Sequence, residues 1–280
     1  MVDKKYSELF LGKEAAKCML CYKASCTAAC PKNLAPDKFI RSVRFDNKST
    51  AFKCLNKETC ENCDAPCEKA CSYYDEPIRI KEMALLDERY MKNLSQKTTV
   101  NTAIDALTHL IESYLSVKAN AVTKALSLEG IRMIASEFEN LAEFSLDDEA
   151  RRKLLIASTF GGMVIAQTGT TAVHSMGYSL TYFKNIDHGR ANGLLIAEFL
   201  KFVQDKMSSD VDEILKALNM EDLDKFSAVI DGLLKEKEEI SEDELKDFSQ
   251  IAIKAKNIMN CSVVLNADDL LKIYRSSFKK

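Results

Sequence analysis

The residues most able to do chemistry fall into two sets, and the first holds every histidine of the chain. His109, His174 and His188 are the three. His109 closes the stretch Asp105-Ala-Leu-Thr-His109, and on a helix that four-residue spacing puts both side chains on one face. His174 follows in Ala172-Val173-His174 and His188 in Asp187-His188-Gly189. One carboxylate and three imidazoles make a donor set suited to Fe(II) or Zn(II). A lone histidine on an apolar face is usually a core residue. Three in order, the first with a carboxylate one helical turn before it, favour a metal site.

The second set is cysteine. Nine of the ten cysteines lie between residues 18 and 71. One run spaces Cys18, Cys21, Cys26 and Cys30 as C-x2-C-x4-C-x3-C and continues into Pro31; the other holds Cys60, Cys63, Cys67 and Cys71. A C-x-x-C bend lets two thiolates reach adjacent corners of one cluster, and a run closed by Cys-Pro is typical of two-cluster ferredoxins. Two runs of four match two [4Fe–4S] clusters. Structural zinc is the alternative, and it usually takes separated C-x-x-C pairs. Disulfides are the lesser reading for a cysteine-rich chain with no Lys/Arg-led apolar leader, and cytoplasm is the expected location.

The elements that must position these groups are helices. All four prolines (31, 36, 66, 77) precede residue 78, and the rest is rich in Leu, Ala, Lys and Glu, a composition that favours helix. The expected fold is mainly α: a small helical cysteine-rich domain over 1–95, then an all-helical metal-binding domain over 96–280. The polar segment from Asp87 to Lys97 reads as a linker or an exposed helix end. The apolar run Leu154 to Ala166, broken by Ser158, Thr159, Gly161 and Gly162, is too short to span a bilayer and reads as a buried helix. Asn266-Ala-Asp-Asp269 reads as the cap of a last helix. Gly12 is the only glycine before Gly130, so a glycine-rich phosphate loop is absent. A net charge of −3 argues against general nucleic-acid binding. Neither nucleic acid nor membrane is an expected partner.

The cysteine segment resembles the N-terminal iron–sulfur domain of the glutamate synthase small subunit and of dihydropyrimidine dehydrogenase. Ala15-Ala16-Lys17-Cys18-Met19-Leu20-Cys21 and Ala29-Cys30-Pro31-Lys32-Asn33-Leu34-Ala35-Pro36 carry its first motif. Cys63-Asp64-Ala65-Pro66-Cys67-Glu68-Lys69-Ala70-Cys71 and Pro77-Ile78-Arg79-Ile80-Lys81 carry its second. The resemblance implies one cluster on Cys18, Cys21, Cys26 and Cys71, and another on Cys30, Cys63 and Cys67. The family's fourth ligand to the second cluster is a Glu or Gln just after the I-x-I stretch. Ala84 stands there in this chain, and Cys60 is the substitute, with Cys54 or Glu82 behind it.

From about Thr102 onward the chain resembles the all-helical C-terminal domain of the iron-containing (group III) alcohol dehydrogenases. The motifs are Asp105-Ala-Leu-Thr-His109-Leu-Ile-Glu-Ser-Tyr114, Ala172-Val-His174 and Asn185-Ile186-Asp187-His188-Gly189-Arg190-Ala191-Asn192. The resemblance implies Asp105, His109, His174 and His188 as ligands of one Fe(II), or of zinc. The family's nucleotide-binding domain is replaced here by the cysteine segment. A further histidine of the family, four residues after the third ligand, is Tyr178 in this chain. Its phenol is the candidate catalytic proton donor; packing in the histidine's place is the other reading.

These features imply an oxidoreductase or oxidoreductase subunit. The metal would bind a small alcohol- or aldehyde-type substrate, and the clusters would relay electrons to a flavoprotein or NAD(P)-binding partner subunit. A non-catalytic electron-transfer or assembly subunit with a structural metal is the alternative. A dehydrogenase whose NAD(P) is held by another chain is the third reading, and assembly into a homo-oligomer is left open. Cys60→Ser is expected to alter the EPR signal of one cluster; two unchanged signals would remove Cys60 from the ligand set.

Overall fold

The computed structural model describes residues 15, 18, 21, 24–44, 47–54, 63–64, 66–71 and 86–278. Its contacts divide the chain into two units, between Leu85 and Leu86. Cys60, Glu82, Ala84 and the Pro77–Lys81 motif lie outside the described residues.

In the first unit the described helices are short: α1 (Ser25–Ala28), α2 (Pro36–Arg44), α3 (Lys48–Cys54) and α4 (Pro66–Lys69). Pro36 opens α2 at the position where its missing N–H costs nothing. Asp37 sits in its first turn, with Arg41 and Arg44 in its last, the order that complements the helix dipole. Ser25 Oγ donates to the Ala70 carbonyl at 2.7 Å, which ties α1 to the end of α4. Thr27 Oγ1 donates to the Asp37 carboxylate, joining α1 to α2.

The second unit is helical throughout. It holds α5 (Gln96–Tyr114), α6 (Ala121–Ala135), α7 (Phe138–Glu143), α8 (Asp148–Thr168), α9 (Ala172–Lys184), α10 (His188–Gln204), α11 (Ser208–Leu218), α12 (Leu223–Leu234), α13 (Glu242–Ala252) and α14 (Ala267–Ser277). Among the described residues there is no strand; Ser116 and Cys261 form an isolated antiparallel bridge. No described helix is long and apolar enough to cross a membrane.

Side-chain caps set many of the boundaries. Ser95, Asn120, Asp147, Asp222, Ser241 and Asn266 each accept a backbone N–H at a helix start; such caps typically contribute about 1 kcal/mol each. Asn266 is the expected cap of the last helix. α9 ends on Asn185 in the left-handed region, at φ 54°, where asparagine is tolerated better than most residues.

α5 is the axis. Val100, Ile104, Leu107, Leu110 and Ile111 are all buried, and the helix is covered by α6, α8 and α10. A helix apolar on nearly every side is stable only as a core element. Around it α10 also contacts α9, α12 and α14, and the buried Tyr274 hydroxyl of α14 donates to the Met176 carbonyl of α9 at 2.7 Å.

Two sequence expectations change form. The polar segment after Asp87 is a 3-10 turn, Glu88–Met91, docked on α8 through Arg151 to the Met91 carbonyl, Arg152 to Glu88 and Lys92 to Asp148. The apolar run Leu154–Ala166 is half-buried: Leu154, Ala157, Gly161 and Val164 face the core, whereas Gly162 and Met163 are exposed. Its small residues flatten one face against α5 rather than filling an interior on all sides. Leu107 is fully buried on α5. Leu107→Ala is expected to destabilise the fold by about 2–5 kcal/mol, read as a lowered urea midpoint with little change in slope.

Candidate metal centre

Asp105 and His109 occupy successive turns of α5, His174 the first turn of α9, and His188 the first position of α10. Asp105, His109 and His174 bring one ligand atom each within 4.8 Å of one another, the one such group of His, Cys, Asp or Glu among the described residues. Asp105 Oδ2 is 3.8 Å from His109 Nδ1, and its Oδ1 is 3.7 Å from His174 Nε2. His188 Nε2 also lies 3.7 Å from Asp105 Oδ1, so the fourth expected residue borders the same carboxylate. The His109 and His174 rings stack at 4.4 Å, with His188 5.2 Å from His174.

Close helix approach makes this convergence possible. A Cβ on Gly189 would fall 2.0 Å from the Asn101 carbonyl oxygen and 2.9 Å from the Asp105 Cβ, so only glycine lets the first turn of α10 lie against α5. A Cβ on Gly177 would fall 2.0 Å from Asn192 Oδ1. That space admits Asn192, whose amide donates to Asp105 Oδ1 at 2.9 Å and lies 3.3 Å from His188 Nε2. Arg190, in the same Asp-His-Gly-Arg motif, points elsewhere. It clamps Glu238 at 2.6 Å and the Leu234 carbonyl at 2.6 Å, tying α10 to the end of α12.

Sequence reasoning passes over Glu112. It is fully buried on α5, and its Oε2 accepts the His174 Nδ1–H. Its Oε1 accepts from Val173 N at 2.8 Å, Thr171 N at 3.1 Å, His174 N at 3.4 Å and Thr171 Oγ1 at 2.6 Å. The available signal was spacing. Glu112 lies three residues beyond His109 and seven beyond Asp105, an acidic residue on their helix face in an otherwise apolar turn.

The environment keeps two imidazoles neutral. Burial, followed by the charge of His174, pushes His109 down to about 4, and burial lowers His188 as well. Burial also opposes charge on His174, but the Glu112 carboxylate and its hydrogen bond outweigh it and raise the group. Glu112 is lowered in return, its partner overcoming burial. His174 is 1% exposed and its Nε2 has no hydrogen-bond partner. A buried, unpaired nitrogen is costly unless a ligand takes it. That nitrogen, beside a carboxylate and two neutral imidazoles, fits a divalent metal.

Tyr178 borders the centre on its solvent side. Its ring stacks on His188 at 5.6 Å with an interplanar angle of 10°, and it is half exposed. Burial raises the phenol, partly offset by hydrogen bonds to Asn257 and Thr170. Asn257 donates to Thr170 Oγ1 at 2.7 Å.

In the first unit no described cysteine is in a disulfide. Burial raises Cys26, and nearby Asp37 and Cys71 add to the shift. Burial likewise raises Cys67, with Cys30 and Glu68 adding to it. Cys26 thus neighbours Cys71, and Cys30 neighbours Cys67.

Gly189→Ala places a methyl group against a backbone carbonyl that cannot swing away. It is expected to cost about 3 kcal/mol or more and to open the Asp105–His188 approach, seen as a lower melting temperature together with weaker metal binding.

Comparison with known proteins adds family identity to this geometry. The model of the Fe-containing alcohol dehydrogenase family, C-terminal, matches residues 99–278. That of dihydropyrimidine dehydrogenase domain II, 4Fe-4S cluster, matches residues 1–100. The chain is 30% identical over 151 residues to the probable alcohol dehydrogenase EutG of Escherichia coli (strain K12), covering 53% of this chain and 38% of that protein. It is 26% identical over 211 residues to 4-hydroxybutyrate dehydrogenase of Clostridium kluyveri, covering 70% and 57%. The solved iron-containing alcohol dehydrogenase of Thermotoga maritima superposes with a TM-score of 0.62 at 34% identity, over 68% of this chain and 52% of that one. The chain therefore spans about half the length of these relatives. Through its second unit it belongs to the iron-containing alcohol dehydrogenase family, with an iron–sulfur domain of the dihydropyrimidine dehydrogenase type ahead of it.

Proposed function

We propose that the chain is an oxidoreductase subunit that works on a small alcohol or aldehyde and exchanges electrons with a flavoprotein or NAD(P)-binding partner subunit. The observation that carries this reading is the buried, unpartnered Nε2 of His174 facing Asp105 and His109. Asp105, His109, His174 and His188 would hold one divalent metal, Fe(II) or Zn(II). Cys18, Cys21, Cys26 and Cys71 would hold one [4Fe–4S] cluster, and Cys30, Cys63, Cys67 and Cys60 a second. Bound there, the metal supplies Lewis acidity for an alcohol or aldehyde oxygen, and the clusters supply one-electron carriers.

The chain's own residues do the positioning. Asn192 holds one oxygen of Asp105 toward the histidines, and Glu112 holds His174 with its Nε2 inward. His188 and Tyr178 form the side open to solvent, where a small substrate would enter. Oxidation of an alcohol to an aldehyde releases two electrons and two protons. A flavin or nicotinamide on the partner would take two electrons and one proton together as hydride, and the second proton would leave to solvent. A reduced flavin would then give its electrons to the two clusters one at a time.

A second reading is favoured by Tyr178. Its hydroxyl is engaged by Asn257 and Thr170 and its phenol is raised, which suits packing against His188 better than proton transfer. On that reading the metal is structural and the chain is an electron-transfer or assembly subunit.

One experiment separates them. Anaerobically purified protein is expected to contain about eight acid-labile sulfides and about eight or nine irons per chain, with zinc replacing the ninth if the histidine site is zinc-loaded. Adding an alcohol or aldehyde with the redox partner is then expected to change the cluster oxidation state by EPR. Sulfide and iron present with no substrate response would leave the structural-metal reading, and zinc without sulfide would remove electron transfer altogether.

A further inference from the structure

Among the described residues, the most completely satisfied buried charge is a group with no place in the ligand set. Glu112 is fully buried. Its Oε1 takes the Thr171, Val173 and His174 N–H groups and the Thr171 hydroxyl, and its Oε2 takes the His174 ring. The N–H groups belong to the start of α9, where Thr171 makes no side-chain cap of its own. One carboxylate, projected from α5, therefore caps α9 and fixes the first ligand on it.

We infer that Glu112 is the positioning residue of the metal centre: by accepting the His174 Nδ1–H it reserves Nε2 for the metal, and by capping α9 it sets the depth at which that imidazole meets Asp105. The inference deepens the metal-centre reading above and depends on it. The two oxygens have separate tasks, and this makes the role testable. Four donors converge on Oε1, so in Glu112→Gln the amide oxygen must stay there and the amide NH2 must face His174. A donor facing Nδ1 demands a bare nitrogen, so the ring proton moves to Nε2, the atom that should bind metal. The cap survives while the ring tautomer reverses.

The full chain has three histidines, so labelling with ring-15N histidine gives three spin systems in heteronuclear NMR. Nδ1 of His174 is expected to be protonated in the wild-type chain, and the Nε2–H tautomer is expected in Glu112→Gln. Competition for Zn(II) against a chromophoric chelator should show affinity about 10–100-fold weaker in that variant, the usual cost of losing a partner that orients a ligating histidine. In a His174→Ala background the same substitution should change affinity by less than about 2-fold, since effects that act through one partner are not additive. Glu112→Ala, which loses the cap as well, should also lower the melting temperature of the metal-free chain well below that of Glu112→Gln.

A bare Nδ1 in the wild-type chain would overturn the proposal, as would wild-type affinity in Glu112→Gln or an undiminished loss without His174. A wild-type chain that holds the proton on Nδ1 and binds no Zn(II) would overturn instead the metal reading beneath it, so the two failures are distinguishable.

Discussion

A carboxylate taken out of water must find hydrogen bonds for its lone pairs or lose its charge. Glu112 meets that demand in the middle of the second unit, and much of the centre follows from how it does so. Its donors come from the start of α9 and from the His174 ring, so α9 is held against α5 at one depth and one rotation. The hydrogen-bonded pair also explains why His174 and Glu112 shift in opposite directions despite being equally hidden from solvent. Burial alone would have neutralised both.

The other two approaches to Asp105 are steric rather than electrostatic. α10 reaches the carboxylate because Gly189 leaves the Asn101 carbonyl uncovered, and Asn192 fits because Gly177 has no side chain to meet it. Arg190 fastens the same helix to the segment after α12. Its charge is paired with Glu238 rather than with Asp105. Tyr178 completes the arrangement. Stacked on His188 with its hydroxyl turned to Asn257 and Thr170, it fills space where an imidazole would offer a titrating nitrogen near neutral pH.

The iron–sulfur unit is built on another principle. Its described helices are too short to bury much apolar surface, and polar ties join neighbouring described segments. Arg41 and Arg44 of α2 donate to the carbonyls of Cys21 and Cys18, at 2.9 and 2.8 Å, holding the first cysteine bend to a helix some twenty residues further on. In such a unit the thiol positions come from backbone tethering more than from a core. This agrees with the general rule that small metal domains draw much of their folding free energy from the bound group.

The sequence by itself determined the helical class, the cap of the last helix and the two groups of candidate donors, because those are local properties. An i,i+4 spacing fixes a shared face for Asp105 and His109, a C-x-x-C bend fixes neighbouring thiols, and Asn266 with Asp269 marks a helix start. The same local reading of the segment after Asp87 as a linker or an exposed helix end holds where Gln96 opens α5, but its polarity gives no hint of Arg151 and Arg152 waiting on α8. Only the tertiary structure decided that His174 and His188, far along the chain from Asp105, arrive at the same oxygen. It alone brought Glu112 to the His174 ring and stacked Tyr178 on His188. The physical reason is that helix periodicity is written within one turn, whereas the depth and rotation at which two helices pack depend on paired surfaces. A missing Cβ on one helix matters only against the carbonyl or amide that another brings to it.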